Sequence, residues 1–73
     1  MKPQPIRLKE LRNEKNLKQE ELAELLGIVL RQYQRYERGE QEPSLAKWLF
    51  LADFYNVSLD YLVGRSADRT FHP

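Results

Sequence analysis

The stretch Gln19 to Gly39, QEELAELLGIVLRQYQRYERG, restricts the possible folds of this chain more than any other. Leu22, Ala23 and Leu26 fall at i, i+1 and i+4, on one side of a helix, while Glu20, Glu21 and Glu24 take the other side. Gly27 interrupts the pattern. Beyond it Tyr33 and Tyr36 supply the apolar side of a second short helix, and Arg31, Gln32, Gln34, Arg35 and Arg38 point elsewhere. The stretch therefore predicts two short helices at a large angle, joined by a tight glycine turn, the second polar and basic wherever it is not buried.

At 73 residues the chain has room for one core, and domains of this size bury only ~60% of their unfolded surface. There is no cysteine, so helical packing has to supply the stability that disulfides or thiolate metal sites would otherwise add. No apolar run approaches the ~20 residues of a membrane span, and the opening MKPQPIRLKE lacks the apolar core of a signal peptide. A soluble cytoplasmic protein is expected, with no membrane association. The formal net charge is only +1 at pH 7, and the total hides a basic helix between Glu20, Glu21 and Glu24 upstream and Glu40 and Glu42 downstream.

In chain order, residues 1–5 form an extended lead-in, because Pro3 and Pro5 bias their predecessors away from helix. A domain over residues 6–64 follows. Its first helix starts near Ile6 and turns Ile6, Leu8 and Leu11 inward. Asn16 ends it in the left-handed conformation, and Leu17 enters the core. Lys18 cannot cap the next helix, whose first amides are left to water, Glu21 or a phosphate. Gly39 closes the third helix. Ser44 caps a fourth over Leu45 to Tyr55, with Leu45, Trp48, Ala52 and Tyr55 at helical spacing and Leu49 and Leu51 widening the arc. Phe50 and Phe54 lie partly outside that arc. Asn56 ends the fourth helix, Val57 is buried, and Ser58 caps a fifth, Leu59 to Val63, stopped by Gly64. Residues 65–73 lack periodicity and read as a flexible tail. The expectation is all-α, five helices and no sheet.

This pattern resembles the helix-turn-helix family of phage lambda repressor and Cro, the XRE family. The residues that carry the resemblance are RLKELRNEKNLKQEELAELLGI from Arg7 to Ile28, RYERGEQEPS from Arg35 to Ser44 and LADFYNVSLDYLVGR from Leu51 to Arg65. The resemblance implies a five-helix domain whose third helix lies in the DNA major groove. It also implies that Gln19 holds a phosphate and that Arg12 and Glu37 form a buried pair tying the first helix to the third. Two positions depart from the family. The usual GVS start of the third helix is Gly27-Ile28-Val29-Leu30, without a hydroxyl cap, so Leu30 either meets a thymine methyl or makes no base contact. Phe50 replaces a commonly charged residue, and reads as part of a dimer or partner surface or as a solitary exposed aromatic.

Arg31, Gln32, Gln34 and Arg35 are the candidate base readers. Arginine can bond guanine O6 and N7 together, and glutamine adenine N6 and N7, each pair worth ~1–3 kcal/mol of discrimination. The bland reading of Arg31 and Arg35 is surface ion pairing worth ~0–1 kcal/mol. Gln19, Arg38 and Lys47, with the amides opening the second and fourth helices, are candidate phosphate contacts. One such helix covers few base pairs, so the resemblance implies a two-fold homodimer on an inverted-repeat operator of double-stranded DNA, half-sites ~34–36 Å apart. In the family the region around the fifth helix often pairs, which points here to Val57, Leu59, Tyr61, Leu62 and Val63, with Phe50. The function expected is transcriptional regulation, most simply repression by occupancy. The alternative is an antitoxin-like or other protein-binding regulator with a protein partner and secondary DNA binding. Catalytic chemistry is not expected, since the sole histidine, His72, stands in the tail and no glycine-rich phosphate loop is present. Nor is a metal or cofactor.

Overall fold

The computed structural model describes residues 5–64 and 67–69, the side chains of Pro5 and Ile6 excepted. The lead-in at residues 1–4, Ile6 as a core side chain and His72 lie outside that set. Five helices follow one another: α1 Pro5–Glu14, α2 Gln19–Leu26, α3 Leu30–Arg38, α4 Leu45–Tyr55 and α5 Leu59–Leu62. No strand occurs among the described residues. α1 begins one residue earlier than expected, at Pro5. A proline suits the first helical position, where its fixed φ is already helical and the amide it lacks has no partner in any case.

Four of the five helices end in the same way, and the sequence shows why. Asn16, Gly27, Gly39 and Asn56 adopt φ of 56°, 70°, 75° and 55°, the left-handed region open to glycine and tolerated by asparagine. The following amide then reaches back a full turn: Leu17 to the Arg12 carbonyl at 3.1 Å, Ile28 to Ala23 at 3.0 Å, Glu40 to Arg35 at 2.9 Å and Val57 to Ala52 at 3.0 Å. At three of these ends the reversal delivers an apolar side chain, Leu17, Ile28 or Val57, to the core. Starts are less uniform. Ser44 and Ser58 accept from the amides of Lys47 and Tyr61 at 3.3 and 3.0 Å. At α2, Lys18 offers no side-chain oxygen, and Glu21 reaches back to accept from the Lys18 amide at 2.9 Å.

The core gathers Leu8 and Leu11 of α1, Leu22 and Ala23 of α2, Tyr33 and Tyr36 of α3, Trp48, Leu51, Ala52 and Tyr55 of α4, then Val57 and Leu62. Val57 and Leu62, expected on a dimer surface, are 2% and 0% exposed. They are interior because the turn after Asn56 folds Val57 under α4 and α5 packs one face inward, so neither can meet a partner. Leu45 and Leu49, expected inward, are 66% and 49% exposed. The buried arc of α4 is centred on Trp48, Leu51 and Tyr55, and at about 100° per residue Leu45 and Leu49 fall beyond its Ala52 edge. Phe50 is also exposed and stacks on half-buried Phe54, rings 6.0 Å apart and 11° from parallel.

Of the tail, residues 67–69 are described, and Asp68 and Arg69 are tied to the domain. Ser58 donates its amide to the Arg69 carbonyl at 3.1 Å and its hydroxyl to the Asp68 carbonyl at 3.1 Å, while Arg69 bonds Glu14 at 2.7 Å. The Tyr61 ring takes the Arg7 guanidinium at 4.1 Å and that of Arg69 at 5.3 Å, contacts attractive through the ring quadrupole.

Candidate nucleic-acid interface

The angle between α2 and α3 is set at Gly27. A side-chain carbon placed there would meet no atom within 4 Å, so the position needs glycine for its backbone conformation rather than for space. Val29 then precedes α3 at the cap position, extended, 68% exposed and unable to cap with its side chain. The buried rings of Tyr33 and Tyr36, edge to face at 6.4 Å, fix the rotation of α3 about its axis. That rotation puts Arg31, Arg35 and Arg38 together on the outer side, all exposed.

The three arginines differ in their engagement. Arg38 pairs with Glu40, Nε to Oε2 at 3.1 Å, with both side chains more than half exposed. Such a pair is worth ~0–1 kcal/mol and yields readily to a phosphate. Arg31 and Arg35 have no ion-pair partner among the described residues. The surface pairing that would have made them inert is therefore not formed there.

The two glutamines of α3 lie on its flanks. Gln32 donates from Nε2 to the Tyr36 hydroxyl at 2.9 Å, one turn along the same helix. Gln34 donates from Nε2 to Gln19 Oε1 at 3.3 Å, across to the start of α2. Gln19 in turn donates from Nε2 to Glu37 Oε1 at 3.0 Å. Both ends of its amide are thus engaged inside the protein, leaving one N–H of Nε2 for a phosphate. Lys47 is half-buried in the first turn of α4, and its amide is taken by Ser44.

Beneath this surface Arg12 of α1 grips Glu37 of α3 with two contacts, Nε to Oε2 at 2.7 Å and Nη2 to Oε1 at 3.2 Å, and gives Nη1 to the Leu17 carbonyl at 3.0 Å. The two side chains are 11% and 5% exposed. Burial alone would raise the Glu37 pKa. The hydrogen bonds from Arg12 and Gln19, with the Arg12 charge, outweigh it and hold the carboxyl below its ordinary value. The same bond to Glu37 raises the already high pKa of Arg12. Tyr33 and Tyr55 border the pair, and burial first, then the Glu37 charge, pushes both phenols far above their usual range. Their hydroxyls have no hydrogen-bond partner among the described residues; that of Tyr33 lies near enough to Glu37 to feel its charge but short of bonding geometry.

The structure thus brings Arg31, Arg35 and Arg38 onto one face and ties Arg12, Glu37, Gln19 and Gln34 into one chain of contacts. It sets Gln32 aside on Tyr36. Among the residues expected to pair with a second copy, Leu59, Tyr61 and Val63 are half-buried around α5, and Phe50 is exposed on α4. Sequence reasoning missed the glutamine links. Gln32 and Tyr36 stand at i, i+4, a spacing that could have suggested their contact; nothing in the spacing of Gln19 and Gln34 announces theirs.

An outward arginine face on a short helix, fixed by a glycine turn to the helix before it, defines a helix-turn-helix DNA-binding domain. The family model described as helix-turn-helix matches residues 8–62, and the chain belongs to that family, in its lambda repressor and Cro (XRE) branch. It is similar to the HTH-type transcriptional regulator AnsR of Bacillus subtilis, 40% identical over 67 residues, 92% of this chain and 58% of the relative. It is also similar to the cryptic phage CTXphi transcriptional repressor RstR of Vibrio cholerae, 40% identical over 60 residues, 82% of this chain and 54% of the relative. The crystal structure of a transcriptional regulator from Listeria innocua superposes with a TM-score of 0.81 at 35% identity, covering 88% of this chain and 61% of that one. The chain spans about half the length of the curated relatives it matches. These relatives are named as transcriptional regulators and repressors, not enzymes. Among the described residues no helix is long and apolar enough to cross a membrane.

Proposed function

We propose that this chain is a sequence-specific regulator of transcription that inserts α3 into the major groove of double-stranded DNA, binds an inverted repeat as a two-fold dimer and represses by occupancy. The observation that carries this reading is the exposed, unpaired state of Arg31 and Arg35 on the outer side of α3. Two cationic forks held on a rigid helix without internal partners are suited to guanine edges. Gln34 reads beside them, and Gln32 does so when it leaves Tyr36. Gln19, Arg38 and Lys47 take phosphates, which fix register rather than sequence.

Pairing of two copies uses Leu59, Tyr61 and Val63 around α5, with Phe50 alongside, and half-sites ~34–36 Å apart follow from two-fold symmetry on B-form DNA. RstR, named a repressor, supports repression as the outcome. The protein works in the cytoplasm and needs no cofactor. A second reading is favoured by the exposed Leu45, Leu49 and Phe50 on α4: there the chain is an antitoxin-like regulator whose principal partner is a protein.

Selection of duplexes from a random library, with the winner titrated against salt, separates the two. An enriched inverted repeat, a steep salt dependence and a loss of binding in Arg35→Ala support the operator reading. No enriched motif, with weak binding indifferent to Arg35, supports the protein partner.

A further inference from the structure

The polar chain beneath the arginine face has a direction, and the direction fixes which way round the Gln34 amide sits. An ionised carboxylate only accepts hydrogen bonds. Glu37, gripped by Arg12 at 2.7 and 3.2 Å, can therefore meet the Gln19 side chain only through its Nε2, which stands 3.0 Å from Oε1 of Glu37. The carbonyl end of Gln19 is then turned away, and it accepts Nε2 of Gln34 at 3.3 Å. Flipping the Gln34 amide would set two carbonyl oxygens against each other. Oε1 of Gln34 is left without a partner among the described residues, while Nε2 commits one of its two N–H groups to Gln19, on the flank of α3 beside the arginine face.

Resting on the reading above that α3 enters the major groove, we propose that Gln34 is a specificity-determining residue that acts as a fixed acceptor. With its carbonyl end held free, it favours a base carrying a major-groove amino group, adenine through N6 or cytosine through N4, over guanine and thymine at that position. Gln19, Glu37 and Arg12 are positioning residues. An unconstrained glutamine offers either end and makes no such choice; the amide in this chain is held in one sense by the Glu37 charge, two hydrogen bonds away through Gln19. The edge chemistry is unambiguous, since adenine N6 and cytosine N4 donate where guanine O6 and thymine O4 accept.

The experiment is sequencing of duplexes selected from a random library by the parent chain, Gln34→Ala, Gln19→Met and Arg35→Ala, each checked for a helical circular dichroism spectrum. The parent should show one half-site position enriched in adenine and cytosine on one strand. Gln34→Ala should flatten that position alone, with a loss of about tenfold in discrimination there. Gln19→Met keeps the length of the side chain but frees Gln34 to turn. It should let guanine and thymine in at the same position, whatever it does to overall affinity through a phosphate. If Arg35→Ala alters the parent's motif while Gln34→Ala and Gln19→Met leave every position unchanged, the fixed-acceptor proposal is wrong and the operator reading stands. It is equally wrong if the position that depends on Gln34 favours guanine or thymine. A parent that enriches no motif overturns both.

Discussion

Replacing Glu37 by alanine removes one half of a pair whose members are 11% and 5% exposed, and the consequence can be worked from the contacts. Arg12 keeps its charge and its bond to the Leu17 carbonyl but loses two contacts, and Gln19 loses the acceptor for Nε2. Breaking one side of a buried pair costs ~3–5 kcal/mol, and the residual exposure of Arg12 favours the lower end. A domain of this size has on the order of 4–11 kcal/mol in total, so much of its stability is at stake. At ~4–8 °C per kcal/mol, a cost of ~3 kcal/mol lowers Tm by ~12–24 °C. Thermal melts followed by circular dichroism at pH 7 read this directly, with Arg12→Met and the Arg12→Met/Glu37→Ala double variant completing a cycle. The double variant should recover stability relative to Glu37→Ala, because it leaves no uncompensated charge. A Glu37→Ala melt within ~3 °C of the parent would refute the reasoning, as would strict additivity in the cycle. The pH dependence has a definite sign. The Glu37 pKa is lower folded than unfolded, so its stabilisation is complete above the unfolded carboxylate value of ~4.3 and is lost as pH falls through the folded value. Glu37→Gln should flatten that acid limb.

Four other perturbations bear on separate parts of the structure. Gly27→Ala should cost ~1–2 kcal/mol through the left-handed φ alone, and Gly27→Asn distinctly less; equal melts for all three chains would remove the turn from the account. Leu51→Ala, at a fully buried site, should cost ~2–5 kcal/mol in urea unfolding at constant m. Arg38→Ala should weaken DNA binding evenly across sequences and lower the salt slope by ~1, whereas Glu40→Gln, which frees Arg38, should strengthen it; a change of base preference in either would contradict a phosphate role. Phe50→Asp should leave the melt within ~0.5 kcal/mol of the parent and, in sedimentation with an operator carrying both half-sites, shift the complex from two copies to one. Two copies retained would take Phe50 out of the pairing surface.

The helices were legible because their signals are local. Gly27, Gly39, Asn16 and Asn56 are residues that accept positive φ, and Ser44 and Ser58 are residues that cap, so each boundary is written within a few positions of itself. Tyr33 and Tyr36 likewise show which side of α3 is buried, and hence that Arg31, Arg35 and Arg38 face out. The side of α4 was harder to read. Its apolar residues cover more than one face, and only the packing of α5 and the α1–α3 layer decides that Leu51 is inside while Leu45 and Leu49 are not. Leu62 was misplaced, and Val57 was given a pairing role beside its buried one, for a related reason: apolar residues near a family's pairing surface look the same in sequence whether they point to a partner or to the core. Contacts between Gln19 and Gln34, or Arg69 and Glu14, join residues far apart in the chain through side chains of common type, and no local pattern encodes them.

The four left-handed helix ends set where the chain turns, while one shared core holds the helices together. Each junction is held by backbone conformation and two returning amides, so the exposed residues between them carry little of the structure. Arg31, Arg35 and Arg38 could be exchanged as a set for other polar side chains with the junctions at Gly27 and Gly39 intact. The domain is in this sense a mounting on which the outer side of one nine-residue helix is replaceable. Retargeting it to a new operator would meet its structural penalty at Gln34, the reader tied through Gln19 to the interior.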